Sequence, residues 1–174
     1  MDYLSEPLGP DFVSTYERTF GIELPPSYRA FLLQVGDGGA GPGLGMRELG
    51  RPLDDAAQWE VGEIATDEGE PDLLMRSKFD PLGAAALEPS RPPYYTTGVR
   101  YLFDHGCGLW DVLVVNGPHA GQIFHDARPD RTGFFRYALD ERGAIARLRA
   151  EAGADSLDFA EYYCWWLSVS AGAG

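Results

Sequence analysis

Apolar positions recur with different periods along the chain, and the changes of period mark its elements. Phe12, Tyr16 and Phe20 fall four apart, which predicts a helix over residues 11–20, with Asp11 as N-cap and Gly21 as its stop. Leu24-Pro25-Pro26 opens a second, shorter helix that ends near Gly36, with prolines at the start and glycine at the end. Tyr28, Phe31, Leu32 and Val35 make its expected buried stripe. The next stretch, Gly36-Asp37-Gly38-Gly39-Ala40-Gly41-Pro42-Gly43-Leu44-Gly45, holds too much glycine for any regular element. It predicts a loop with several positive-φ positions, running close to the rest of the fold.

A period of two takes over further on. Val99–Asp104, Leu109–Val115 and Gln122–Asp126 read as three strands, joined by Gly106-Cys107-Gly108 and by Asn116-Gly117-Pro118-His119-Ala120-Gly121. Joints that short predict an antiparallel meander rather than βαβ units. Phe134–Tyr137 adds a further short strand, and Ala144–Ala152 reads as an exposed helix carrying Arg147 and Arg149. Phe159, Tyr162, Tyr163 and Trp166 return at i, i+3, i+4 and i+7. They predict a closing helix that lays an aromatic face on the sheet, capped by Asp155 or Ser156 and fraying after Ser168. Residues 46–97 are irregular and proline-rich, with a short helix over 53–59 and a strand over 61–65. The expected fold is α+β: an antiparallel or mixed twisted sheet flanked by N-terminal and C-terminal helices. It forms one domain with its core over residues 10–168.

Composition supports a packed domain. At 174 residues the length suits one core, and 44% hydrophobic residues are enough to fill it, which excludes disorder over most of the chain. Two cysteines do not make a disulfide scaffold. The first residues have no basic and apolar leader pattern, and no apolar run reaches the roughly 20 residues of a membrane span. A cytoplasmic protein with reduced thiols and no membrane partner is expected. Charge changes the picture more. Fourteen cations against 27 carboxylates leave a net charge of −13, which disfavours nucleic acid and favours basic protein partners. Between Arg51 and Arg76 stand Asp54, Asp55, Glu60, Glu63, Asp67, Glu68, Glu70 and Asp72 with no cation among them. That run is either a solvated loop or a contact surface for a basic partner.

Three patterns suggest chemistry and are read as structure. Gly36-Asp37-Gly38-Gly39-Ala40-Gly41 has the spacing of a dinucleotide fingerprint, but a helix precedes it and Pro42-Gly43 follows, the reverse of the required strand and helix. His105 and Cys107 place an imidazole near a thiol, yet no residue stands out to orient the histidine, and a cysteine between two glycines suits a tight turn. His105, Cys107, His125 and Asp126 could meet if the first and third strands were neighbours, but no metal-ligand spacing accompanies them. No catalytic residue, cofactor or metal is expected on this reading.

Taken together, the landmarks resemble the SUKH superfamily, whose members include yeast cell-wall assembly regulators. The resemblance is carried by Leu24–Leu33 running into Gly36-Asp37-Gly38-Gly39-Ala40-Gly41-Pro42. It continues through Leu102-Phe103-Asp104-His105-Gly106-Cys107-Gly108, Leu113–Gly117 and Gly121–Asp126, and ends with the aromatic segment Phe159–Leu167. In bacteria it implies an immunity protein that binds and neutralises a polymorphic toxin, often a basic nuclease, by occluding it. The family's eukaryotic members imply an alternative role as a regulatory protein-binding scaffold, and a thiol or metal enzyme is a more distant one. Gly36, Asp37, Gly38, Gly39, Gly41, Gly106, Cys107 and Gly108 would be family turn positions. Residues 144–152 stand as an insertion, and residues 46–97 match no family pattern, so partner identity would reside there.

Overall fold

The computed structural model describes residues 4–49, 51–52, 59–60, 98–151 and 153–172. Helix α1 spans Pro10–Phe20 and α2 spans Pro26–Gln34. A two-residue pair, β1 (Arg51–Pro52) with β2 (Trp59–Glu60), precedes the main sheet. That sheet runs β3 (Val99–Asp104), β4 (Trp110–Val114), β5 (Ile123–Asp126), β6 (Phe134–Leu139) and β7 (Ile145–Arg149). Every neighbouring pair is antiparallel and the spatial order is the chain order, so the fold is α+β built on a five-stranded meander. Helix α3, Phe159–Ala171, closes it. No described helix is long and apolar enough to cross a membrane.

The helix boundaries show which local signals acted. Gly9, not Asp11, is the N-cap of α1: Pro10 takes the first helical position, where its missing N–H costs nothing, and Asp11 sits in the first turn. Gly21 ends the helix in the left-handed region, as its position predicts. In α2, Tyr28, Phe31 and Leu32 are buried, but Val35 is the C-cap and 49% exposed. It is the residue at which the chain leaves helical geometry for the glycine loop. Helix α3 is capped by Asp158, three residues later than Asp155. The Asp158 side chain accepts from Glu161 N–H and the Glu161 carboxylate accepts from Asp158 N–H, a complete capping box. The helix then runs on past Ser168 to Ala171.

The segment expected as a helix over 144–152 is instead strand β7. Asp140 decides this. Its carboxylate accepts from Arg142 and Ala144 N–H, and Gly143 at φ 75° turns the chain back to pair with β6. The hairpin pairs the segment with β6, and that ladder outweighs its local helical preference. Of the elements expected over 53–59 and 61–65, residues 53–58 and 61–65 lie outside the described residues, and Trp59 belongs to β2.

The sheet separates two apolar clusters. On one face Leu102, Phe103, Leu113, Ile123 and Tyr137 pack with Val13, Tyr16, Tyr28, Phe31, Phe159, Tyr162 and Tyr163 of the helices. On the other face Val99, Val112, Val114, Phe124 and Phe134 form a smaller cluster with Tyr101 and Trp110. A register shift between Tyr101 and Phe103 turns both Leu102 and Phe103 into the helix-side core. One cation is built into that layer. Buried Arg100 donates to the Tyr28 and Tyr16 hydroxyls and to the Leu49 and Glu48 carbonyls, tying both N-terminal helices to β3.

Candidate functional site

Asp111 is the only polar residue in the β4 run Trp110-Asp111-Val112-Leu113-Val114, and its side chain is completely buried on the helix face. A carboxylate there needs donors on every side. It has four. His125 Nδ1 lies 2.8 Å and the Tyr137 hydroxyl 2.6 Å from Oδ1; His105 Nε2 lies 2.7 Å and the Tyr162 hydroxyl 2.5 Å from Oδ2. Topology supplies them. Asp111 and His125 are directly opposite across β4 and β5, Tyr137 comes from β6, Tyr162 from the first turns of α3, and His105 from the residue after β3. The two imidazole centroids are 5.3 Å apart at 74°, and the two tyrosine rings stack at 4.7 Å.

Electrostatics at the cluster follow from this packing. Burial alone would push the Asp111 carboxyl up, but the hydrogen bonds from His105 and His125 outweigh it and hold it at about 2. The group is an anion at neutral pH. Burial, with the neighbouring carboxylate adding to it, drives the Tyr137 and Tyr162 hydroxyls far above their usual range, so both remain donors. On its other side His125 Nε2 lies 3.1 Å from Arg147 Nη1. A guanidinium has no acceptor, so Nε2 carries the lone pair and Nδ1–H donates to Asp111. One arginine thus fixes the tautomer.

The sequence-predicted residues fall into place unevenly. Gly38, Gly39, Gly43 and Gly45 all take positive φ, and the loop does cross close to the sheet: Leu44 N–H donates to the Asp104 carbonyl, and Met46 bridges Gly39 and Phe103. A side chain at Gly41 would begin 2.8 Å from the Phe103 ring, and one at Gly43 would collide with the Asp104 carbonyl and come 2.9 Å from His105 Nδ1. The glycines therefore let the loop seat the His105 turn. Gly36 lies against Leu4 and Ser5, and buried Asp37 accepts from Leu49 N–H at 2.7 Å. Gly106 and Gly108 both have φ 78°, and Cys107 between them takes φ 54°, but its side chain is exposed rather than packed.

His105 does have an orienting partner, Asp111, contrary to the expectation drawn from its neighbours in sequence. The strands β3 and β5 flank β4 instead of pairing, so His105 and His125 meet through Asp111. Asp126 faces the opposite way, held by Arg128 at 2.6 Å and by the Tyr101 hydroxyl at 3.3 Å. The readable signal for Asp111 was a single carboxylate inside an otherwise apolar strand. Of the eight candidate partner-binding carboxylates, Glu60 lies in β2. Its side chain and the residues Asp54, Asp55, Glu63, Asp67, Glu68, Glu70 and Asp72 lie outside what the structure describes. At the other end of β4, a shallow cavity of about 420 Å³ is lined by Ile22, Leu24, Pro25, Val115 and Asn116, with Glu23 as its one charged group.

No family model, no curated protein and no solved structure matches the chain. The fold and the buried cluster therefore define its class by themselves: an α+β protein with a helix-covered antiparallel meander and a histidine–aspartate–histidine group under its closing helix.

Proposed function

We propose that this chain is a binding protein that neutralises a basic toxin domain by occluding it, without catalysing a reaction. The observation that carries the reading is the surplus of 27 carboxylates over 14 cations, with eight of the carboxylates in a cation-free run between Arg51 and Arg76. A field of that sign attracts a basic partner over distances of a Debye length and disfavours nucleic acid, the substrate such a partner would share. The resemblance of the glycine loop and the 102–108 segment to the SUKH pattern supports the same reading. Those two segments lie against each other here, as parts of one unit would.

Co-expression with the product of the neighbouring gene tests the proposal. A stoichiometric complex that restores growth is expected, with an association rate that falls steeply as salt rises. Paired alanine substitutions among Asp54, Asp55, Glu68, Glu70 and Asp72 should slow association more than they speed dissociation, because rim charges act on encounter. On-rates equal to wild type would assign the acidic run to solvation alone. A neighbouring gene that encodes no toxin, with no basic partner captured, overturns the reading.

A further inference from the structure

We propose that His105, Asp111 and His125 form a site for one divalent transition-metal ion of the zinc class, and that Arg147 opposes its occupation by fixing the His125 tautomer. The proposal is independent of the toxin-neutralising reading.

The donor set comes first. His105 Nε2, an Asp111 oxygen and His125 Nδ1 all lie within 4.8 Å of one another. Tetrahedral coordination at ordinary zinc bond lengths separates ligand atoms by roughly 3.3 Å. His105 Nε2 lies 2.7 Å from Asp111 Oδ2 and His125 Nδ1 lies 2.8 Å from Oδ1, so binding through one carboxylate oxygen requires each ring to give up its hydrogen bond and one of them to turn toward the oxygen that holds the ion. Two imidazoles and one carboxylate suit a borderline transition ion, and not calcium or magnesium, which take oxygen ligands. Three protein ligands leave a fourth position for water.

The surroundings are those of a supported site. The Tyr137 and Tyr162 hydroxyls bind the Asp111 oxygens from behind, fixing the carboxylate as outer-shell donors do around metal ligands. Asp111 and His125 are sealed, at 0% and 3% exposure, whereas His105 is 24% exposed on its turn and offers the way in. The net charge of −13 raises the local concentration of cations.

Arg147 works against this. Coordination at His125 Nδ1 requires the ring proton to move to Nε2, where Arg147 Nη1 now donates. Two donors would then face each other, and the guanidinium would stand close to the ion. Arg147 is exposed on β7 and can swing into solvent, but the motion forfeits its hydrogen bond. Glutamine at this position retains length and offers a carbonyl to accept from Nε2–H. Arg147→Gln should therefore bind metal more tightly than the natural chain.

Chelator-stripped full-length protein titrated with Co²⁺, read by visible absorption and by competition with Zn²⁺, tests the site. One equivalent should bind with a spectrum of low coordination number and be displaced by Zn²⁺. His105→Gln, at a partly exposed position, should weaken affinity at least about tenfold. Arg147→Gln should strengthen it by about threefold or more, with near-ultraviolet circular dichroism unchanged in both. The absence of a saturable Co²⁺ spectrum in both the natural chain and Arg147→Gln overturns the site. A spectrum indifferent to His105→Gln also overturns it, because the ion would be bound elsewhere.

Discussion

Arg100 shows what a single buried charge does for this fold. Its guanidinium sits among two tyrosine hydroxyls and two backbone carbonyls, and the Tyr28 and Tyr16 dipoles help keep its proton in place against the cost of burial. The group satisfies acceptors that no apolar side chain could. Arg100→Met keeps most of the volume but takes a buried donor from the Leu49 and Glu48 carbonyls and from both hydroxyls. A loss on the order of 3 kcal/mol in unfolding free energy is expected, enough to consume much of a typical domain's margin. Chemical denaturation, with the midpoint compared at unchanged slope, measures it. A midpoint within experimental error of the natural chain would mean that water replaces the guanidinium freely. Asp111 belongs to the same scale: one carboxylate organises donors from β5, β6, α3 and the turn after β3, and removing it would take their shared acceptor from all four.

Elements read from the sequence to the extent that their signals are local. The helix over 10–20, the glycine loop and the three strands over 99–126 all follow from period and turn chemistry within a few residues. β7 did not, because Ala, Arg and Leu favour a helix when considered alone, and the deciding signal was Asp140 and Gly143 upstream. The Asp111 cluster was half legible. Its two histidines stand out in the sequence, but their convergence depends on β4 lying between β3 and β5, which is a matter of topology and not of spacing. In the closing helix the cap stands two or three residues beyond the expected Ser156 or Asp155, since Asp158 is the aspartate with a glutamate at the reciprocal position. Asp158→Ala removes the side-chain half of the capping box, the acceptor for Glu161 N–H, and leaves the Glu161 carboxylate on the backbone N–H of residue 158. Stability should fall by about 1 kcal/mol, with the helix signal retained below the unfolding transition, because α3 is held mainly by its aromatic face. Asn at the same position should recover most of the loss; equal destabilisation by Asn and Ala would show that the effect lies in the aspartate charge.

At the scale of the whole molecule, buried tyrosines join nearly every layer. Tyr16 and Tyr28 come from the first two helices, Tyr137 from the sheet, and Tyr162 and Tyr163 from the last helix. Burial raises all five hydroxyls above the ordinary phenol value, Tyr28 to about 12. The unfolded chain, whose phenols titrate near pH 10, gives up these protons first as pH rises. Below pH 10 both states hold them and the difference has no effect. Between pH 10 and about 12 the folded state binds more protons than the unfolded, so unfolding free energy must fall with pH throughout that window. Stability should therefore be level toward pH 10 and decline steeply above it. The five buried phenols should ionise together as the near-ultraviolet dichroism collapses. Gradual ionisation of all nine tyrosines before any loss of that dichroism would mean the core admits hydroxide without opening, and the aromatic layer would then not be the structure that holds the helices to the sheet.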